Sequence, residues 1–199
     1  MPGARCEVQL STFNLQPSTF NLQPSTNMNY KAKLKSINTF CFDVDGVFTN
    51  NIVWLMPDGE QVRTANVRDG YAVQLAVKKG MRIAIISGGK SEAVRKRFEG
   101  LGVTEIYLGS AKKIDVFKGF LEKHGILPED VCYIGDDIPD YAVMSHCGLA
   151  VCPADAAAEI RSIAHYISPK KGGEGCVRDV LEQALKLKSM WMDEESMVW

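Results

Sequence analysis

The 199-residue chain has no excess of charge of either sign: 23 Lys and Arg face 24 Asp and Glu, for a formal net charge of −1. Without a basic footprint it lacks the surface that nucleic acid binding rests on, so nucleic acid is not an expected partner. No apolar run approaches the roughly 20 residues that cross a bilayer, which argues against a membrane protein. No secretory signal is visible either, and a reducing cytoplasm is the expected setting. Six cysteines are present, none in the paired C-x-x-C spacing that suits zinc. Cys41 and Cys132 fall in predicted strands and Cys147 and Cys152 flank another, so they read as small reduced core residues. His124, His146 and His165 are scattered and form no ligand set. What is present is 46% apolar residues, enough for one domain with a substantial core and too short a chain for a second.

Residues 1–27 differ from all that follows. Ser-Thr-Phe-Asn-Leu-Gln-Pro occupies 11–17 and recurs letter for letter at 18–24. A proline in every repeat forbids a continuing helix, and the Phe and Leu spacing makes no coiled-coil seam. This segment reads as a disordered extension, with Met28 the expected start of the functional chain. From Lys35 onward short apolar runs alternate with helical patterns. Strands are predicted at 38–43, 82–87, 104–108, 131–135, 148–152 and 165–168. Helices are predicted at 70–79, 90–99, 112–124, 139–146, 155–163 and 176–188, with Asp69 as an N-cap and Gly80, Gly100 and Gly125 as terminators. Strict alternation predicts an α/β fold, a Rossmann-like parallel sheet with helices on both faces. Between Asp45 and Asp69, Ile52–Met56 and Gln61–Asn66 flank Pro57-Asp58-Gly59 and predict a protruding β-hairpin too small to be a lid domain.

Four polar clusters follow predicted strands: Asp43-Val44-Asp45-Gly46, Ser87-Gly88-Gly89, Lys113 beyond Gly109, and Gly135-Asp136-Asp137-Ile138-Pro139-Asp140. Open parallel sheets place ligands at that edge. Asp43 and Asp45 would sit on opposite faces of a continued strand, so the chain must break at Val44–Gly46 for both to meet one bound group, and Gly46 permits the break. Two carboxylates so placed divide nucleophilic attack from proton transfer. Ser87 and the amides of Gly88 and Gly89 suit phosphate oxygens.

In order and residue type these clusters resemble the haloacid dehalogenase superfamily of aspartate-nucleophile phosphatases. The runs Asp43-Val44-Asp45-Gly46-Val47-Phe48-Thr49, Asn66-Val67-Arg68-Asp69-Gly70-Tyr71 and Gly172-Gly173-Glu174-Gly175-Cys176-Val177-Arg178 narrow the resemblance to its capless sugar-acid phosphatases, the 3-deoxy-D-manno-octulosonate 8-phosphate phosphatase family. It implies a phosphatase domain over 28–188, a C-terminal tail over 189–199, and a lipopolysaccharide-precursor substrate. The same resemblance implies Mg²⁺ held by Asp43, the Asp45 carbonyl and Asp136, with Asp137 or Asp140 in support. Asp43 would be the nucleophile and Asp45 the acid and base, with Ser87, Gly88 and Lys113 on the phosphate and Arg68 and Thr49 beside the sugar acid. A homotetramer assembled through the hairpins would complete each site, and the tail, after a mobile Gly172-Gly173 joint, would reach a neighbour. Asn50 and Ala72 depart from the family pattern on the substrate side. The rivals are a nine-carbon ulosonate 9-phosphate phosphatase and a non-catalytic oligomerisation module of a sugar-nucleotide pathway.

Overall fold

The computed structural model describes residues 29–198, so the repeat at 1–27 and the proposed start at Met28 lie outside the described residues. Six parallel strands form one sheet in the order β5-β4-β1-β6-β7-β8: β1 Thr39–Phe42, β4 Arg82–Ile86, β5 Glu105–Tyr107, β6 Val131–Ile134, β7 Leu149–Cys152 and β8 Tyr166–Ile167. Alternation of side chains along each strand feeds two cores. Phe40, Phe42, Cys132 and Ile134 face one layer, and Cys41, Val131 and Tyr133 face the other. The first layer is covered by α1 Tyr30–Ser36, α2 Val67–Lys78, α3 Glu92–Glu99 and α7 Cys176–Leu187 through Leu34, Val73, Phe98 and Leu181. The second is covered by α4 Lys113–His124, α5 Tyr141–Met144 and α6 Ala158–Ile163 through Phe117, Met144 and Ile160. Every strand residue of β1 and β6 is buried, as a sheet covered on both faces requires. Cys41, Cys132, Cys147, Cys152 and Cys176 are buried free thiols in these cores.

Strand order sets the position of the site. The chain leaves β1 for β4 and β5 on one side and then returns to β6 on the other, so the loops after β1 and β6 diverge and leave a crevice at their C-terminal ends. The hairpin is shorter than expected: β2 Trp54–Leu55 pairs antiparallel with β3 Gln61–Val62 and no further. Helix α1 was not expected, since only Leu34 of its seven residues is buried; Asn29 caps it and Tyr30 stacks on Tyr166 at 4.4 Å. The predicted 139–146 helix is instead a 3₁₀ turn over Ile138–Asp140 followed by the single turn of α5. No helix among the described residues is long and apolar enough to cross a membrane.

Two local expectations are corrected. Asp69 is not the N-cap of α2; Asn66 is, accepting from the Arg68 N–H at 2.9 Å, and the helix starts one turn earlier. Asp69 caps a different helix: its Oδ1 accepts the Arg178 N–H at 2.7 Å at the start of α7, whose own N-cap, Gly175, has no side chain to offer. Gly172-Gly173 is not a mobile joint. A Cβ on Gly172 would stand 1.9 Å from the Gly46 carbonyl oxygen, and the Gly173 N–H donates to the Val47 carbonyl at 3.0 Å. The doublet lets two stretches of backbone touch.

The tail packs against α2 and α7. Trp191 packs edge-on to Tyr71, its ring centroid 6.1 Å away, and under the Arg178 guanidinium, while the Tyr71 hydroxyl donates to the Ser196 carbonyl at 2.5 Å. Lys79 pairs with Asp193 and Glu195 of the same segment.

Asp69 is fully buried and its Oδ2 has no partner. Burial pushes its carboxyl up to about 6 although the Arg178 and Gly175 N–H groups favour the charged form. Asp69→Ala is expected to lower the unfolding free energy by roughly 1–2 kcal/mol, the ordinary value of a helix cap. Asp69→Asn keeps the accepting oxygen without the buried charge, so denaturant titration should find it the milder change; equal losses would refute the capping role.

Candidate active site

The ladder between β1 and β6 runs one residue beyond the strands, because the Asp43 N–H donates to the Ile134 carbonyl at 3.0 Å. Asp43 is thereby fixed beside Gly135-Asp136 before the chain turns. The turn needs Gly46, whose φ is +81° and where a Cβ would stand 1.9 Å from Asp136 Oδ2. Thr49 closes it by accepting the Gly46 N–H at 3.2 Å.

Around this turn lies a cleft of about 380 Å³ lined by all four clusters: Asp43 and Asp45, Ser87 to Gly89, Lys113, and Asp136, Asp137 and Asp140. Asp43, Asp136 and Asp140 are buried and offer carboxylate oxygens within 4.8 Å of one another. Lys113, first residue of α4 and 5% exposed, donates to Asp43 Oδ1 at 2.9 Å and to Asp140 Oδ1 at 2.7 Å. Tyr133, fully buried on β6, adds its hydroxyl to Asp140 at 2.6 Å. Asp140 in turn accepts the Asp136 N–H at 3.2 Å, holding the β6 loop in place. Asp137 is exposed and its carboxylate caps the 3₁₀ turn at the Ile138 N–H, 2.8 Å away.

Three buried carboxylates against one lysine leave the cluster short of positive charge. Burial pushes the Asp43 carboxyl up to about 7, with the Asp140 charge adding to the rise and Lys113 opposing it. Burial likewise carries Asp136 up to about 6 against a hydrogen bond from Asn51. Burial penalises the Lys113 charge, yet Asp43 and Asp140 together raise it above the ordinary lysine value. Hard oxygen donors, buried and electron-rich, fit a divalent cation of the magnesium kind, which Asp43 and Asp136 could ligate from the cleft.

Ser87 is buried at the end of β4, its Oγ accepting the Gly89 N–H at 3.2 Å. Gly88, which follows it, lines the cleft. Thr49 and Arg68 do not join the cleft. Thr49 is 4% exposed and committed to the turn. Arg68 is exposed and lines a separate depression with Lys170, Glu174 and Arg178.

Two residues of the site had not been singled out from sequence. Asn51, in the left-handed region at φ 62°, donates its amide to Asp136 Oδ2 at 2.8 Å. Arg63, after β3, binds both oxygens of Asp45, Nε to Oδ1 at 2.6 Å and Nη2 to Oδ2 at 3.1 Å. The asparagine doublet at 50 and 51 was a usable signal for a left-handed turn. Nothing local marked Arg63.

Residues 98–180 match the model of the haloacid dehalogenase-like hydrolases. The 3-deoxy-D-manno-octulosonate 8-phosphate phosphatase of Escherichia coli K12 is 39% identical over 154 residues, 77% of this chain and 82% of that protein. The Yersinia pestis enzyme of that name superposes with a TM-score of 0.78 at 34% identity, covering 80% of this chain and 86% of the other. The Moraxella catarrhalis enzyme, solved in complex with magnesium, phosphate and KDO, superposes with a TM-score of 0.79 at 32% identity, covering 82% and 95%. Fold and site thus define a haloacid dehalogenase-like hydrolase, a phosphoric monoester hydrolase. Within that class the chain belongs to the 3-deoxy-D-manno-octulosonate 8-phosphate phosphatase family.

The raised carboxyls give a stability test. With folded values near 7 for Asp43 and 6 for Asp136 against an ordinary 3.8, the folded state holds protons that the unfolded chain releases. Their contribution is full below about pH 4 and is lost as pH rises through 6 and 7. The metal-free protein is therefore expected to lose thermal stability between about pH 4 and 7, and magnesium to restore it mostly at the upper end, where it no longer competes with protons. Calorimetry with chelator and then with magnesium measures this. A chelated protein whose Tm climbs across that interval would contradict the assignment.

Proposed function

We propose that this enzyme hydrolyses 3-deoxy-D-manno-octulosonate 8-phosphate to the free sugar acid and phosphate, with magnesium, through a phosphorylated Asp43. The observation that carries this reading is the Asp43 carboxylate at the root of the cleft, held by Lys113 beside Asp136, with Asp45 two residues on and more exposed. In the first step an Asp43 oxygen bonds to phosphorus while the bond from phosphorus to the sugar oxygen breaks, and the Asp45 carboxyl gives its proton to that oxygen. In the second, water adds to phosphorus, its proton passes to Asp45, and the bond to Asp43 breaks; ester and water become alcohol and phosphate. Lys113, Ser87 and the Gly88 amide hold the phosphoryl oxygens through both steps. A magnesium ion held by Asp43 and Asp136 would supply the remaining positive charge that the phosphoryl group needs.

The eight-carbon substrate is favoured over the nine-carbon one by the family to which the chain belongs. A non-catalytic module would have no need of Asp43, Asp45, Lys113 and Asp136 in one cleft. The expected assembly is a homotetramer. Ile52, Trp54 and Leu55 of the hairpin are 57%, 67% and 77% exposed, an apolar surface that association would cover. Arg68, outside the cleft of its own subunit, is assigned to the carboxylate of a sugar acid bound by a neighbour, as a bidentate donor.

Asp43→Asn is expected to abolish turnover and, by relieving the carboxylate crowding, to keep or raise the Tm. A variant retaining more than about a tenth of the wild-type kcat, a loss of no more than ~1.4 kcal/mol, would exclude Asp43 as the nucleophile. Charged replacements at Trp54 and Leu55 are expected to give smaller particles in sizing chromatography. Their kcat/KM should fall more for the sugar acid phosphate than for p-nitrophenyl phosphate, which has no carboxylate for Arg68. A fully active monomer would refute the assembly.

A further inference from the structure

The hairpin returns to the body of the protein through Arg63, and the residue it meets there is Asp45. Both carboxylate oxygens are engaged, Oδ1 by Nε at 2.6 Å and Oδ2 by Nη2 at 3.1 Å. A planar fork on a planar carboxylate fixes orientation as well as position. The guanidinium is fixed in its turn: Nη1 donates to the Gln61 carbonyl at 2.9 Å and Nη2 to Gln61 Oε1 at 3.2 Å. Gln61 belongs to β3, in register with Leu55 of β2. The Arg63 side chain is 10% exposed, whereas that of Asp45 is 35% exposed. An arginine more buried than its acidic partner is held by the fold and presents the carboxylate to the cleft. Surface ion pairs contribute little because both side chains wander; here one partner is anchored by two further hydrogen bonds, both to Gln61.

Asp43 needs no such device, being rooted in the β1 ladder and bound by Lys113. Asp45 lies beyond the strand, in the turn. Its backbone alone leaves the carboxylate free to rotate, yet the reaction asks it to serve two oxygens in succession, that of the leaving sugar and that of the entering water. Each transfer requires an approach within hydrogen-bond reach.

We propose that Arg63 is the positioning residue for Asp45, the clamp through which the hairpin orients the acid and base of the reaction. This rests on the phosphoryl-Asp43 reading above and adds to it a residue outside the four sequence clusters. Arg63 touches neither the phosphoryl group nor the reacting oxygens in this arrangement; it acts through Asp45.

The test uses the full chain with magnesium and two substrates. The sugar acid phosphate leaves as an alkoxide and needs a proton, whereas p-nitrophenolate leaves without one. Arg63→Ala is expected to lower kcat on the sugar acid phosphate by roughly 10- to 100-fold, part of the range general acid and base catalysis supplies, with KM little changed. With p-nitrophenyl phosphate the first step is spared and the second is not, so stopped flow should show a larger p-nitrophenolate burst than wild type, and acid quench more phosphorylated Asp43. Guanidinium ion, at concentrations too low to unfold the protein, is expected to restore turnover to Arg63→Ala, and methylammonium is not. Arg63→Gln, which keeps bulk and polarity, serves should the alanine variant not fold, and should show the same division between substrates. An unchanged burst, no added phosphorylated Asp43 and no rescue would reduce Arg63 to a structural ion pair and overturn the proposal. Wild-type enzyme that forms no phosphorylated Asp43 would instead overturn the reading beneath it.

Discussion

The crowding of Asp43, Asp136 and Asp140 into one buried cluster is the constraint around which this molecule is arranged. Carboxylates within 4.8 Å of each other repel, and burial removes the water that would screen them. Lys113 answers part of that repulsion, which is why α4 begins with a lysine that is 5% exposed when its neighbour Lys112 lies in solvent. Tyr133 answers another part from inside the sheet, donating to Asp140. The β1 and β6 ends must lie side by side to hold the cluster, and the topology, with β1 central and the chain crossing to β6, brings them there. Sheet order, the start of α4 and the Gly46 turn thus serve one electrostatic arrangement.

How far the sequence disclosed this depended on the range of each interaction. Alternating apolar runs revealed the six strands, because a doubly covered sheet needs continuous apolar segments wherever it lies. The polar clusters of the cleft were legible for a related reason: each follows its strand directly, so the edge rule could assign them before any contact was known. What could not be read depends on partners far apart in the chain. Asp69 looked like the cap of the helix it sits in, but its acceptor oxygen is used 109 residues away, at Arg178. Arg63 had no local mark, and only the folded hairpin brings it to Asp45. Helix α1 was invisible because a seven-residue helix burying Leu34 alone shows no periodicity to detect.

Both ends of the hairpin are tied to carboxylates of the cleft, Asn51 to Asp136 at the entry and Arg63 to Asp45 at the exit. An insertion too small to enclose a substrate still shapes the site from its stem. Its apolar outer residues are exposed, whereas its polar stem residues answer to carboxylate geometry. Exchanges at Ile52 or Met56 and exchanges at Asn51 or Arg63 are not equivalent substitutions in the same loop.

The contact of Gly172-Gly173 with the Gly46–Thr49 turn bears on when the protein becomes an enzyme during its synthesis. The turn that follows Asp43 lies near the start of the described chain, while the backbone that braces it, together with the α7 terminus capped by Asp69, comes near the end. A nascent chain on the ribosome carries Asp43 and Asp45 early but lacks the strand pairing of β6 and the glycine brace until most of its length has emerged. The Asp43–Thr49 turn is consequently among the last parts to reach its final form, and chains cut short before residue 172 would carry the Asp43-Val44-Asp45-Gly46 motif without the backbone that braces it.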